Sequence, residues 1–435
     1  MNISLDSALN EAESRYVSAN PKSAARHSAA RSSMPGGNTR TVLHYSPFPL
    51  AWAKGEGAHL TDLDGHDYTD FLGEYSAGLY GHSNPLILAA IREALEGGIV
   101  LGGPNQYEAD LASMIRDRFP SIQLLRFCNS GTEANVFAIQ TARAATGKPA
   151  ILTFEGGYHG GVLYFRKGGA PLNLPIQTFS ATYNDADGVQ EKIRTHAHEL
   201  AAVIVEPMMG GAGCIPAERD FLVALRRACT EHNVILIFDE VMTSRLSTGG
   251  YQAMVGITPD MTTLGKYLGG GMSFGAFGGR MDLMARFDPD RADAWPHAGT
   301  FNNNVLSMAA GLTGLKKLLN GNAIGRLNKK GDKLRQAIND VARRHDVGLK
   351  ATGAGSFVGM HFTRDEIRRP GDLDPADADR RTKLQNLMHL DLIAAGQFYA
   401  RRGFIALMLP VTDGEIDTFA GAVEEFVTSR KSLLQ

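Results

Sequence analysis

Residues 201–245 read AAVIVEPMMGGAGCIPAERDFLVALRRACTEHNVILIFDEVMTSR, and this stretch decides the fold class. Two continuously apolar runs, Ala201–Val205 and Val234–Phe238, enclose a helical pattern over Asp220–Glu231. Apolar runs of this length fit strands that are covered on both faces, as in a parallel sheet with helices on each side. The stretch therefore predicts a strand–helix–strand unit of an α/β fold.

The same rhythm continues outward from this unit. Apolar runs also occur at Leu124–Cys128, Ala150–Phe154 and Phe274–Phe277, and a helical pattern covers Ala134–Ala145. In a mostly parallel sheet, ligands collect at the carboxyl ends of the strands, so we expect functional residues directly after the apolar runs. The remaining segments predict a smaller lobe, which divides the chain into 1–60 (N-terminal segment), 61–315 (large domain) and 316–435 (C-terminal small domain).

Composition excludes several classes of protein. The 435 residues are 43% hydrophobic and 21% charged, and the net charge of -2 leaves no basic stripe for nucleic acid. No apolar run approaches the roughly 18 residues of a membrane helix, and the first thirty residues lack the apolar core of a signal peptide, so we expect a cytoplasmic protein. Cys128, Cys214 and Cys229 are isolated, and no HExxH or CxxC pattern occurs, which predicts neither disulfides nor a metal.

The first predicted strand is followed by Ser130, Gly131 and Thr132, with Glu133 completing an S-x-x-E pattern. This pattern predicts a capping box at the start of a helix. The two hydroxyls and the free amides at that positive helix end also suit a phosphate group. Considered alone, the motif favours an ordinary helix start, because capping boxes are common.

Three further strand ends carry polar or aromatic residues. Tyr158 and His159 lie in the loop EGGYHGG, where the ring of Tyr158 either packs over glycine or stacks on a planar ligand. Glu206 follows the run that ends at residue 205. Asp239 and Glu240 follow the next run, but adjacent residues of a strand point to opposite faces, so a paired-carboxylate hydrolase is disfavoured. A single buried carboxylate such as Asp239 requires a positive partner.

Lys266 lies in TLGKYLGGGMSFGAFGG, residues 263–279. A nucleotide P-loop fails because Asp260 and Tyr267 stand where Gly and Ser or Thr are needed, and a dinucleotide fingerprint fails at Phe274. The alternatives are a surface lysine beside a loop, or a desolvated amine that serves as a nucleophile for a Schiff base. The coincidence of a phosphate cup, an aromatic ring, a carboxylate and an amine favours the second, because pyridoxal 5′-phosphate needs this set.

The sequence resembles the class III aminotransferases of fold type I over nearly all of its length. The resemblance is carried by PGGNTR, SGTEAN, GGYHGG, VEPMMG, FDEVMTSR, TLGKYLGGGMSFGAFGG and HAGTFNNN. It implies the PLP-dependent transferase fold type I, with a mostly parallel seven-stranded sheet in the large domain and a smaller α+β lobe formed by the N- and C-terminal segments. It also implies a homodimer with active sites at the interface.

The resemblance assigns roles residue by residue. Lys266 would form the Schiff base, and Asp239 would keep the pyridine nitrogen protonated. Thr300 would reach the phosphate bound in the neighbouring subunit. The full set of implied cofactor-binding residues is Ser130, Gly131, Thr132, Tyr158, His159, Glu206, Asp239, Val241, Met242, Lys266 and Thr300.

Within the family, the segments TRTVLHYSPFPL, EYSAGLYGHSNP and RGFIALMLPVTD are similar to aminotransferases that act on β-amino acids such as β-phenylalanine. The resemblance then implies transfer of the amino group to a keto acid such as 2-oxoglutarate or pyruvate. The alternative is a glutamate-1-semialdehyde 2,1-aminomutase, but such enzymes usually have Gly-Phe-Arg after DEVMT, where this chain has Ser244 and Arg245. A racemase or decarboxylase would share the cofactor residues and differ only in substrate contacts.

Arg40 matches the position at which the β-amino acid enzymes bind a substrate carboxylate, and its planar fork suits that role. Arg402, or its neighbour Arg401, is a candidate for a second carboxylate clamp. Tyr75 is the candidate for an apolar wall of the substrate pocket. Further residues that fit such a wall, or equally an ordinary core, are Tyr80, Phe48 and Met408.

Overall fold

A seven-stranded sheet forms the centre of the molecule. The computed structural model describes residues 4–166 and 169–435, so residues 1–3 of the predicted N-terminal segment lie outside the described residues. From one edge of the sheet to the other, the strands are Leu124–Cys128, Gly275–Gly279, Met261–Gly265, Ile235–Asp239, Leu200–Val205, Ala150–Phe154 and Thr178–Ala181.

The sheet is mostly parallel. Ile235–Asp239 pairs in parallel with Leu200–Val205 and with Met261–Gly265. Gly275–Gly279 runs antiparallel between Met261–Gly265 and Leu124–Cys128. The α/β class and the mostly parallel seven-stranded sheet are thus confirmed.

The core strands are buried on both faces, as the continuous apolar runs predicted. Every residue of Leu200–Val205 and of Ile235–Asp239 is buried. The helix Gly131–Thr146 packs against the sheet through Ala134, Ala138 and Ile139, each 0% exposed. Helices cover the sheet and complete the lobes: Leu5–Ala19, Pro21–Ala30, Pro85–Glu96, Glu108–Arg118, Gly131–Thr146, Ala186–His196, Arg219–Glu231, Gly250–Val255, Met281–Met284, Val305–Thr313, Gly321–His345, Ala378–Ala394, Asp413–Ser429 and Lys431–Leu434.

Smaller sheets flank the central one. A four-stranded sheet connects the N-terminal and C-terminal regions of the chain, because Gln397–Phe398 pairs in parallel with Asp67–Asp70. The other strands of this sheet are Trp52–Glu56 and His59–Asp62, so the boundary predicted at residue 60 falls inside a strand. A three-stranded sheet contains Lys350–Thr352, Phe357–His361 and Phe404–Ala406, and two-residue strands pair Gly157–Tyr158 with Tyr164–Phe165 and Met208–Met209 with Ile215–Pro216.

Cys128, Cys214 and Cys229 are buried free cysteines. Among the described helices, none combines the length and the apolar character that crossing a bilayer requires.

Candidate active site

Several of the predicted cofactor residues meet at one edge of the central sheet. Asp239 ends the strand Ile235–Asp239, and Lys266 directly follows the neighbouring strand Met261–Gly265. Ser130 follows Leu124–Cys128, which runs in the same direction as both of these strands. Parallel strands end at the same edge of a sheet, and this brings together residues that are far apart in sequence.

Asp239 is held by a network of buried donors. Its Oδ2 atom lies 2.8 Å from Nδ1 of His159 and accepts a hydrogen bond of 2.8 Å from Nδ2 of Asn135. Its Oδ1 atom accepts from the backbone N–H of Val241 at 3.1 Å. Asn135 is itself oriented by Thr263, whose hydroxyl donates to Oδ1 of Asn135 at 2.6 Å. The carboxylate is 5% exposed and therefore keeps a fixed orientation.

Lys266 lies beside this carboxylate at the start of a short helical turn. Its backbone has φ of 58°, and its Nζ donates to the carbonyl oxygen of Tyr75. Burial lowers the pKa of the ammonium to about 8, while the charge of Asp239 opposes this shift. Burial dominates because it penalises the charged form directly. The amine is therefore substantially neutral at mildly alkaline pH, as a nucleophile requires.

A helix begins beside these two residues, at Gly131. The hydroxyl of Ser130 accepts from the N–H of Glu133 at 3.1 Å, as a capping box predicts. The reciprocal bond differs from the prediction, because the carboxylate of Glu133 accepts from the N–H of Asn129 at 2.9 Å, one residue earlier. The backbone amides of Gly131 and Thr132 precede the first helical hydrogen bond and point out of a positive helix end.

Val241 packs against two glycines of the site, Gly131 and Gly265. A Cβ atom at Gly131 would lie 2.7 Å from Cγ1 of Val241, and one at Gly265 would lie 3.2 Å from the same atom. A side chain at Gly131 would therefore clash with Val241, and one at Gly265 would require only a small shift of Val241.

Glu206 organises the loop that carries Tyr158. Its carboxylate accepts from the N–H of Tyr158 at 2.9 Å and from that of Gly210 at 3.0 Å. Burial raises the pKa of Glu206 to about 7, and the nearby His159 opposes this shift. Tyr158 keeps 45% of its surface exposed, which leaves its ring free to contact a ligand. Met242 packs against Gly210, where a side chain would meet its Sδ atom at 2.5 Å.

A left-handed turn, Gly73 to Ser76, connects Lys266 to the predicted substrate residues. Its four residues have φ values of 53°, 47°, 52° and 78°. Glu74 accepts a 2.6 Å hydrogen bond from Nη2 of Arg40, and the Tyr75 carbonyl accepts from Lys266. The hydroxyl of Tyr75 donates to the carbonyl of Val42 at 2.9 Å. The turn therefore contacts Arg40 through Glu74 and the Lys266 amine through Tyr75.

Of the two adjacent arginines, Arg402 lies closer to the site. Its guanidinium lies 5.4 Å from the ring centroid of Tyr75, and its charge opposes the rise that burial causes in the pKa of Tyr158. Arg401 donates instead to Oδ1 of Asn386 at 2.7 Å and lines a neighbouring cavity.

The remaining wall candidates belong to the core. Phe48 is 7% exposed and packs on Tyr16, with 5.1 Å between the ring centroids. Tyr80 is 4% exposed and packs edge-on against Tyr267, and Met408 is fully buried beside Gly73. Tyr75, in contrast, contacts Lys266 through its carbonyl and Arg402 through its ring.

Thr300 lies on an exposed segment, and Asn302 of the same segment accepts a 3.0 Å hydrogen bond from Nδ2 of Asn129, which precedes Ser130. The role of Thr300 at a neighbouring subunit stays a prediction. Within residues 4–166 and 169–435, no group of three His, Cys, Asp or Glu side chains is arranged to hold a metal ion.

Comparison with known proteins now identifies the family. The family described as "Aminotransferase class-III" matches residues 42–166 and 169–396. The chain belongs to the class III aminotransferases. It is 47% identical to a beta-phenylalanine transaminase of Variovorax paradoxus over 99% of this chain and 98% of that protein. The solved structure of a beta-phenylalanine aminotransferase from Variovorax paradoxus superposes with a TM-score of 0.96, at 99% coverage of both chains.

Two other similarities bear on this aminotransferase. A glutamate-1-semialdehyde 2,1-aminomutase of Pelodictyon phaeoclathratiforme is 37% identical over 89% of this chain and 94% of that protein. A structure described as a transaminase with PLP bound is 30% identical, with a TM-score of 0.86 over 94% of this chain and 98% of the other. The protein is a transaminase with fold type I architecture.

Three residues of the aminotransferase site were not predicted from the sequence. Asn135 follows the motif SGTEA and is a buried polar residue on the apolar face of its helix, which is a signal for a partner inside the protein. Thr263 belongs to Met261–Gly265, a strand that was not predicted because MTTLG lacks a continuous apolar run. No sequence pattern indicated the role of Glu74, because its contact with Arg40 depends on the left-handed turn.

Proposed function

We propose that this transaminase moves the amino group of a β-amino acid, of β-phenylalanine type, to a keto acid such as 2-oxoglutarate or pyruvate, using pyridoxal 5′-phosphate. The observation that carries the proposal is the turn from Gly73 to Ser76. Through Tyr75 it contacts the reactive amine of Lys266, and through Glu74 it contacts the carboxylate-binding candidate Arg40. The 47% identity to a beta-phenylalanine transaminase supports the same substrate class.

The residues around Lys266 fit the cofactor. The amides of Gly131 and Thr132 would hold its phosphate, and the ring of Tyr158 would stack on its ring. Asp239 would accept a hydrogen bond from the protonated ring nitrogen. When bound, pyridoxal phosphate supplies an aldehyde that condenses with amines and a ring that accepts the electron pair left by the broken C–H bond.

The side chains around the cofactor would then have separate roles. Lys266 would hold the cofactor covalently and, once free and neutral, accept a proton from the substrate carbon through Nζ. His159 and Asn135 fix Asp239, so its charge stays where it stabilises the cationic ring. Arg40 would bind the substrate carboxylate with its planar fork, and Arg402 would bind the second carboxylate of a dicarboxylic acceptor.

We also propose a homodimer in which Thr300 reaches the neighbouring subunit's phosphate. Phe301 is 60% exposed beside Thr300, and Val100 is 80% exposed. Asn105 donates to the carbonyl of Asn303 at 2.8 Å, which ties the segments of Val100 and Phe301 together. Exposed apolar side chains in one region are typical of a protein contact. Light scattering of the holoenzyme, with Phe301→Asp as the disrupting variant, tests the assembly.

The proposed reaction is tested by half-reactions. The holoenzyme is mixed with β-phenylalanine or α-phenylalanine in the absence of a keto acid, and loss of the aldehyde form of the cofactor is followed by absorbance. We expect β-phenylalanine to convert the cofactor in one stoichiometric step, and turnover to resume only when 2-oxoglutarate or pyruvate is added. Preference for α-phenylalanine would refute the substrate class. Keto acid-independent turnover of glutamate 1-semialdehyde would indicate the aminomutase reaction instead.

A further inference from the structure

Asp70 is a buried carboxylate at the start of the left-handed turn from Gly73 to Ser76. It ends the strand Asp67–Asp70 and is 1% exposed. Its Oδ1 atom accepts hydrogen bonds from the backbone N–H of Leu72 at 2.7 Å and from that of Gly73 at 3.1 Å. An aspartate that binds the backbone amides just ahead of it in the chain stabilises the start of a turn. The carboxylate therefore fixes the point at which the turn leaves the strand.

His82 binds the other oxygen of this carboxylate. Its Nε2 atom lies 2.9 Å from Oδ2 of Asp70, and because an ionised carboxylate only accepts, Nε2 carries the proton and donates. The His82 side chain is 19% exposed, and a Cβ atom at Gly55 would lie 2.7 Å from its Cβ and Cγ atoms. The backbone N–H of His82 donates to the carbonyl of Gly57 at 2.9 Å. The imidazole is thus held against the strand Trp52–Glu56 and the residue that follows it.

The contact between Asp70 and His82 closes a loop of the chain, residues 70–82. Inside this loop, the N–H of Gly78 donates to the carbonyl of Gly73, and the N–H of Gly81 donates to the carbonyl of Gly78, both at 2.9 Å. The ends of the loop are therefore joined by one side-chain hydrogen bond, and its interior by backbone hydrogen bonds.

The loop 70–82 carries contacts with Lys266 and its neighbour. The carbonyl of Tyr75 accepts a hydrogen bond from Nζ of Lys266. Tyr80 packs edge-on against Tyr267, the residue after Lys266, with 6.3 Å between the ring centroids. A non-glycine residue with a left-handed backbone, such as Tyr75 with φ of 52°, persists only where the surrounding structure determines it. The buried bond that closes the loop is part of that surrounding structure.

We propose that Asp70 and His82 are positioning residues of the transaminase reaction, because they hold the Tyr75 carbonyl where it accepts an N–H of the free Lys266 amine. The Cε–Nζ bond and one fixed N–H together set the rotation of the amine, and so the directions left to its lone pair. A misplacement of about 1 Å in a reacting group can cost roughly 100-fold in rate. This inference rests on the role proposed above for Lys266 as the proton acceptor.

Two substitutions separate the hydrogen bond from the packing of the ring. His82→Leu keeps an apolar side chain against Gly55 and removes the donor, whereas His82→Gln keeps an N–H directed at Asp70. His82→Ala also removes the donor and takes the place of His82→Leu if the leucine variant does not fold.

The same four-stranded sheet offers a matched control. The side chain of Asp62 is fully buried, and its Oδ1 atom accepts from the N–H of Gly65 at 2.7 Å and from that of His66 at 2.9 Å. Its Oδ2 atom lies 3.0 Å from Nδ1 of His66. His66→Leu therefore removes the same kind of bond from the turn between the strands His59–Asp62 and Asp67–Asp70. It controls for the general effect of losing a histidine–aspartate pair.

The first measurement does not depend on turnover. Hydrogen–deuterium exchange of the holoenzyme is followed by mass spectrometry in peptides that span residues 71–81. Because opening of the loop exposes the amides of Leu72, Gly73 and Gly78, we expect their exchange to be at least about tenfold faster in His82→Leu. Exchange in His82→Gln and His66→Leu should stay within about twofold of the parent in these peptides.

The second measurement is the single-turnover rate of C–H cleavage by the holoenzyme, with saturating β-phenylalanine or 1-phenylethylamine and no keto acid. We expect this rate to fall about 10–100-fold in His82→Leu for both donors, and to stay within about threefold of the parent in His82→Gln and His66→Leu. Deuterium on the carbon that bears the amine should slow His82→Leu further, since proton transfer then limits the rate. An equal loss for both donors assigns the effect to Lys266 rather than to Arg40, because 1-phenylethylamine has no carboxylate.

Several results would overturn the proposal. These are unchanged exchange or an unchanged single-turnover rate in His82→Leu, a loss confined to β-phenylalanine, an equal loss in His66→Leu, or no recovery in His82→Gln. Failure of the proposed function has a different signature. A parent enzyme that converts an α-amino acid instead refutes the substrate class, and the same comparison is then made with that donor. A parent in which borohydride does not fix the cofactor to Lys266 refutes the role of that lysine, and the inference with it.

Discussion

Replacement of Arg40 by glutamine should separate amino donors by whether they carry a carboxylate. Hydrogen bonds to charged groups contribute about 1.5–3 kcal/mol, which corresponds to roughly 10–150-fold in kcat/KM. The Arg40 side chain is 45% exposed, so solvent screening places the loss at the lower end, about 10–30-fold. Folding should be little affected, because the remaining partner, Glu74, is 54% exposed and its pair with Arg40 contributes only about 0–1 kcal/mol.

The assay compares kcat/KM of the parent enzyme and Arg40→Gln for β-phenylalanine and for 1-phenylethylamine, which has the ring and amine but no carboxylate. We expect kcat/KM to fall for β-phenylalanine alone, mainly through an increase in KM. Arg402→Gln is the matched control. Its kcat/KM should fall with 2-oxoglutarate as the acceptor and change little with pyruvate. An equal loss for both donors, or none for β-phenylalanine, would show that Arg40 does not bind the substrate carboxylate.

Three further outcomes follow from the site. The rate at which apoenzyme captures pyridoxal phosphate on Lys266 should rise with pH around a midpoint near 8, because burial favours the neutral amine; a midpoint near the ordinary 10.5 would contradict this. Gly131→Ala places a Cβ atom 2.7 Å from Val241 and should cost about 1–3 kcal/mol in thermal unfolding, with recovery in the double variant with Val241→Ala. Asn135→Leu removes a buried donor to Asp239 and should cost about 1–3 kcal/mol in urea unfolding; an unchanged midpoint would argue against the network.

The sequence predicted those parts of the fold that depend on local pattern. Leu124–Cys128 and Ala150–Phe154 have the predicted bounds, because their residues are continuously apolar or nearly so. Thr178–Ala181, a partly exposed edge strand, and Met261–Gly265, a fully buried strand, were missed, since threonine, serine and glycine interrupt the apolar pattern in both. Tertiary context overrides local preference at such positions. The strand that ends at Asp239 was predicted, but the neighbouring strand before Lys266 was not, so the sheet edge that holds both residues was only partly predictable.

The local sequence pattern could not predict contacts between residues that are far apart in the chain. The turn from Gly73 to Ser76 shows why. Non-glycine residues in the left-handed region cost energy and persist only where packing determines them. Here a Cβ atom at Gly73 would meet the carbonyl oxygen of Ala406 at 2.8 Å, and the Tyr75 ring stacks on Phe404 with 5.8 Å between centroids. Residues 404–406 form a strand of the C-terminal region, so a distant segment holds the turn in the conformation that contacts Lys266. The position of the Lys266 amine therefore depends on a conformation that the local sequence disfavours and the folded C-terminal region enforces.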